Sequence, residues 1–181
     1  MRLDVHNSIS PIDPAEWNKL AGPDNPFIQH DFICALEDGG AVGGNSGWGI
    51  AHLALYDADD KLVGVAPHYL KHHSYGEYIF DQSWAHAYER AGSDYYPKSL
   101  CAVPFTPATG PRLLVKNTDA AYKSAMARGL ASLVDQINYR QVISISCQLK
   151  TQFYWQRLAG SSVAAPNFTG IMMVMKILMA F

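Results

Sequence analysis

Between Lys71 and Arg112 the chain reads KHHSYGEYIFDQSWAHAYERAG and then SDYYPKSLCAVPFTPATGPR. A segment that only fills a core is built from aliphatics. This one instead carries His72, His73, Ser74, Tyr75, Glu77, Asp81, His86, Tyr95, Tyr96 and Lys98 in one short span. Carboxylates and imidazoles do acid–base work when partly desolvated, so the stretch is expected to line a site. Glu77 sits between Tyr75 and Tyr78 with no local structural duty. Asp81 stands where a helix begins, and capping that helix competes with a catalytic role. Both are candidate catalytic carboxylates.

The other chemistry-bearing residues give weaker signals. His68, His72, His73 and His86 could ligate a metal only if they converged with a carboxylate. His72 and His73 are adjacent, so in a strand they point to opposite faces, and no metal site is expected. Cys34 lies on an apparent helix, Cys101 and Cys147 in apparent strands, and none follows a nucleophile-elbow pattern. Pro104 to Arg112, PFTPATGPR, is a stiff turn with two hydroxyls and a cation, a place where Arg112 can grip an anion or simply end a strand connection. No Walker or Rossmann glycine pattern occurs.

The elements that must hold this stretch follow in order. Asp13-Pro14-Ala15-Glu16 signals a helix start, with Trp17 and Leu20 on its apolar face and Gly22-Pro23 as its end. Asn25-Pro26 signals another, with Ile28, Phe32 and Leu36 on one face and Gly39-Gly40 as the stop. WGIAHLALYD, a polar turn at residues 57–61 and LVGVAPHYLKHH read as a hairpin, with Pro67 marking an edge or a bulge. A helix from Asp81 places Trp84, Ala87, Tyr88 and Ala91 together and stops at Gly92. SLCAVP and PRLLV read as strands. A long helix over 118–138 buries Tyr122, Met126, Leu130, Leu133 and Ile137, and QVISISC reads as a buried strand. The order predicts a mixed α/β layer structure with at least partly antiparallel strands.

Bulk properties narrow the classes. A chain of 181 residues, 49% hydrophobic and 17% charged, suits one globular domain. A net charge of −2 gives no basic field for DNA or RNA. Three cysteines without close pairing fit a reduced, cytoplasmic chain, the N-terminus lacks a secretory core, and no apolar run is long enough to span a bilayer.

The phrases NPFIQHDFICALE, HLALYD, YLKHHSYGEYIFDQSWAHAYERAG, YYPK and VPFTPATGPRLLV, in that order over about residues 10–138, resemble the FemAB-like proteins of the GNAT acyltransferase superfamily. The resemblance implies a GNAT-like fold with a mixed, largely antiparallel sheet flanked by helices. It implies two such halves in tandem, of which this chain looks like the N-terminal one: a domain over 1–150 and an incomplete or aberrant extension over 151–181. It further implies transfer of an acyl or aminoacyl group to an amine, possibly on a peptidoglycan precursor, from an acyl-CoA or an aminoacyl-tRNA. The loop that cradles CoA pyrophosphate in GNAT enzymes is absent, so no cofactor is evident. Under that reading Glu77 or Asp81 is the base or acceptor-orienting carboxylate. Ser74, Tyr75, Trp84 and Tyr96 are substrate-binding walls, and Lys98 and Arg112 hold anionic groups. The alternatives are a non-catalytic module recognising a cell-wall precursor or peptide, and a scaffold that associates through the apolar tail at 171–181.

Overall fold

The computed structural model describes residues 1–78, 81–92, 94–136 and 144–145. The chain starts with strand β1 (Arg2–His6), helix α1 (Pro14–Ala21), a 3-10 turn at Pro26–Ile28 and helix α2 (His30–Asp38). Asp13 caps α1 as its sequence predicts, accepting from the Ala15 and Glu16 amides, with Pro14 in the first turn. The single helix expected from Asn25 is instead two pieces. Gln29 is extended, at φ −69° and ψ 149°, and breaks the turn from α2. Ile28 and Ile33 are nonetheless both buried.

Four strands follow: β2 (Trp48–Ile50), β3 (His52–Tyr56), β4 (Leu62–Ala66) and β5 (His68–Lys71). They are the two arms of the predicted hairpin, and each arm is divided between two sheets. The first sheet has the order β1-β3-β4-β7, where β7 is Leu114–Val115. The second has the order β2-β5-β6-β8, where β6 is Lys98–Cys101 and β8 is Ser144–Ile145. Ala51 and Pro67 are the crossing points. Pro67 has no amide hydrogen to give a ladder, and Ala51 N–H donates across the gap to the His68 carbonyl at 3.0 Å. Pro67 is therefore neither an edge nor a bulge; it is where the strand leaves one sheet for the other. All pairings are antiparallel except β6 with β8.

Helix α3 (Gln82–Arg90) precedes β6, and helix α4 (Ala120–Gln136) follows β7. The first sheet is covered on both faces. Leu53, Leu55, Val63 and Val115 pack with Met126, Ala127, Leu130 and Val134 of α4. Ala54, Val65 and Leu114 pack on the other side with Trp17, Ile28 and Ile33. Strands buried on both faces explain the near-continuous apolar runs of HLALY and LVGVA. The architecture is the mixed, largely antiparallel α/β kind with flanking helices, in two sheets rather than one. On α4 the expected stripe holds at Met126 and Leu130, with Tyr122 and Leu133 half-buried against it. On α3 the buried position is Ala85 instead of Ala91, which is exposed. Ile137, most of the QVISISC strand and the 151–181 extension lie outside the described residues.

Candidate functional site

The site is built on one face of the second sheet. Lys71 ends β5 and Lys98 begins β6, and the two are direct cross-strand partners. Trp48 of β2 is the partner of Lys71 on its other side. Cross-strand partners present side chains to the same face, so Trp48, Lys71 and Lys98 form a lateral row. Like charges placed directly opposite each other repel, and both lysines here are fully buried, each 0% exposed. Such an arrangement persists only if something compensates it.

The loop after β5 and the start of α3 supply the compensation. The Lys98 ammonium donates to Glu77 Oε1, to Asp81 Oδ2 and, at 2.8 Å, to the Ser74 hydroxyl. Ser74 in turn shares a 2.7 Å hydrogen bond with the Tyr96 hydroxyl, and the Tyr95 hydroxyl donates to Asp81 Oδ2 at 2.7 Å. Lys71 has different company. Its Nζ sits 3.6 Å from the centre of the Trp48 ring, a cation–π contact. It donates to the Tyr75 carbonyl at 2.9 Å and to His73 Nδ1 at 3.2 Å. With two ammonium and two carboxylate groups, the cluster is formally neutral.

Each carboxylate keeps one oxygen unpaired. Glu77 Oε2 and Asp81 Oδ1 are buried and accept no hydrogen bond. A buried, unsatisfied acceptor is costly, and a ligand carrying N–H donors is one thing that relieves it. Burial pushes the Glu77 carboxyl above its ordinary value, against the pull of Lys98. Burial and the repulsion of Lys98 bring Lys71 down to about 8, against the pull of Glu77 and Asp81. Burial, and next the bond to Asp81, push the Tyr95 phenol up.

Exposed aromatic rings surround this neutral core. Tyr75 is 75% exposed, Tyr78 56% and Phe105 45%. Tyr78 and Phe105 hold φ of 57° and 56°, a conformation that costs a side chain-bearing residue about 1–3 kcal/mol and concentrates at functional sites. Gly76 makes the Phe105 placement possible. A Cβ there would lie 2.4 Å from the ring, and the Gly76 carbonyl accepts from the Phe105 amide at 2.8 Å. Phe105 also packs on Trp48, ring centres 5.4 Å apart.

Of the residues expected at the site, Ser74, Glu77, Asp81, Tyr96 and Lys98 converge. Tyr75 brings its carbonyl to Lys71 and its ring to solvent. Trp84 packs with Tyr95 beneath α3. One expectation changes. Asp81 begins α3, yet its side chain makes no capping bond, because the long-range ion pair takes it. Arg112 is 1% exposed and donates to the carbonyls of Ala108, Gly110 and Pro111, which ties down its own turn. Lys98 likewise has its donors directed at protein groups. Lys71 and Trp48 were not anticipated. Their signal was faint: Lys71 shares strand parity with Tyr69, which is buried, so it faces inward.

Among the described residues no group of three or more His, Cys, Asp or Glu is arranged to hold a metal, and no helix is long and apolar enough to cross a membrane. The fold is of the mixed α/β, GNAT-like kind, with a buried lysine–carboxylate cluster where β5 ends and β6 begins. The chain belongs to the FemAB-like family, described by peptidoglycan biosynthesis and recognition, whose model matches residues 8–165. No curated protein and no solved structure matches it.

Proposed function

We propose that this chain serves transfer of an acyl or aminoacyl group to an amine on a peptidoglycan precursor, with the Lys98-anchored carboxylates receiving the acceptor. The observation that carries the reading is the pair of buried, unpaired oxygens, Glu77 Oε2 and Asp81 Oδ1. An amine brings N–H donors that suit both. Lys98 fixes the two carboxylates, so the acceptor nitrogen meets a preorganised seat, and orientation of this kind lowers the barrier to attack on a carbonyl. Acyl-CoA and aminoacyl-tRNA are both compatible donors.

The test is transfer by the full chain to UDP-N-acetylmuramyl pentapeptide from acetyl-CoA or alanyl-tRNA. Glu77→Gln is expected to lower kcat/KM about 100-fold, the scale of a misplaced reactant, with near-UV circular dichroism unchanged. Unchanged transfer by the folded variant would remove the assignment. A second reading, recognition without chemistry, is favoured by the exposed rings of Tyr75, Tyr78 and Phe105. Precursor binding with no product from either donor would select it.

A further inference from the structure

We propose that Lys71 takes up the proton that the acceptor amine must lose, while Lys98 remains the fixed cationic clamp; the inference rests on the transferase reading above. The two lysines are direct partners on one sheet face, both fully buried, yet they are not equivalent. Lys98 is bonded to both carboxylates. Lys71 is bonded to neither. Its partners are a carbonyl, an imidazole nitrogen and the face of an indole. None of these partners is a carboxylate, so the ammonium form of Lys71 is held less firmly than that of Lys98.

Two like charges buried side by side are relieved when one gives up its proton, and the one without a carboxylate partner gives it up more readily. The groups facing Lys71 are Lys98 from β6, Glu77 and Asp81 from the loop and helix start, and His73 from the loop. Burial, with Lys98, outweighs the two carboxylates and leaves Lys71 at about 8. For an acceptor of α-amino type, which titrates near 8, transfer between the two is close to thermoneutral, the condition under which a proton acceptor is effective.

The step balances as follows. The acceptor arrives as an ammonium and gives one N–H proton to the neutral Lys71 amine, which becomes ammonium. The freed lone pair forms the N–C bond at the acyl carbonyl while the bond from that carbon to the donor's sulfur or oxygen breaks. That atom departs with the bonding electrons and takes the second N–H proton of the adduct. Lys71 then returns its proton to water by way of His73, whose Nδ1 it touches at 3.2 Å and whose ring is only partly buried.

The experiment uses the full chain labelled with 13C at the lysine ε-carbons, titrated by NMR, alongside pH–rate profiles for alanyl-tRNA or acetyl-CoA with UDP-N-acetylmuramyl pentapeptide. One lysine is expected to titrate near pH 8, and its signal disappears in Lys71→Met. Transfer falls about 100-fold or more in Lys71→Met, and the rise of rate around pH 8 flattens. Lys71→Arg, which keeps the charge and gives no neutral amine, falls equally. A Lys71 midpoint above 10, or a Lys71→Arg profile parallel to the parent's, overturns the proposal and leaves the transferase reading standing. A midpoint near 8 with no amide product from either donor removes the transferase reading, and the proton-uptake role with it.

Discussion

Two buried polar networks among the described residues are built to opposite ends. One is the lysine–carboxylate cluster where β5 ends and β6 begins. The other lies where the hairpin crosses between sheets. There Glu37 of α2 accepts from the Ser8 hydroxyl, the Ile9 amide and His52 Nε2, the last at 2.8 Å. His52 Nδ1 accepts from the His68 amide, His68 Nδ1 donates to the Ala51 carbonyl at 2.7 Å, and His68 Nε2 accepts from the Ser99 hydroxyl at 2.7 Å. No side-chain atom of Glu37, His52, His68 or Ser99 is left buried and unpaired, whereas the lysine cluster leaves two carboxylate oxygens that way. A closed network locks a crossing in place. The other, edged by rings in a costly backbone conformation, leaves two acceptors without donors, which is what the proposed acceptor seat uses. Burial does not distinguish the two networks; the satisfaction of their carboxylates does.

Breaking each network should show the difference. Lys98→Met strips both carboxylates of their buried counter-charge, and loss of one partner from a buried pair costs about 3–5 kcal/mol. Urea unfolding is expected to show a loss of that size, together with loss of any transfer activity. Glu37→Gln replaces an acceptor of several bonds by an amide that cannot satisfy them all, at a cost of about 1–3 kcal/mol. Its signature is a lower urea midpoint with catalysis and precursor binding intact. Equal losses of activity in both variants would erase the distinction between the two networks.

How far the sequence foretold these regions depends on the range of the forces involved. The start of α1 was legible because Asp13 and Pro14 act within one turn. The hairpin arms were legible from apolar patterning. Pro67 signals a strand irregularity, but only the neighbouring arm and its Ala51 reveal that the irregularity is a crossing between sheets. Glu77, Asp81 and Lys98 stood out by type, but the register that sets Lys98 against Lys71 is fixed across the long 72–97 connection, which no local rule reaches. Asp81 shows the competition directly: a capping position by sequence, captured by an ion pair from β6. Glu37 carries no local signal of its role, because its partner His52 is brought to it by the packing of α2 on the first sheet.

The most discriminating measurement is the response of stability to pH. Burial holds His68 down at about 4, from an ordinary 6.5, so the unfolded chain binds more protons between those values. Stability contributed by His68 is thus lost as pH falls from 6.5 toward 4. Lys71 lies at about 8 against an ordinary 10.5, so again the unfolded chain binds the extra proton, but in an alkaline window. Its penalty is fully present below pH 8 and is relieved as pH rises from 8 to 10.5. The crossing network is therefore sensitive to acid and the lysine cluster gains with alkali. Comparing urea midpoints of the parent and Lys71→Met at pH 7.5 and pH 10 isolates the second term. The parent should gain on the variant as the pH rises. If the difference between the two does not change, Lys71 carries an ordinary ammonium, and the contrast between an open and a closed network loses its titrating member.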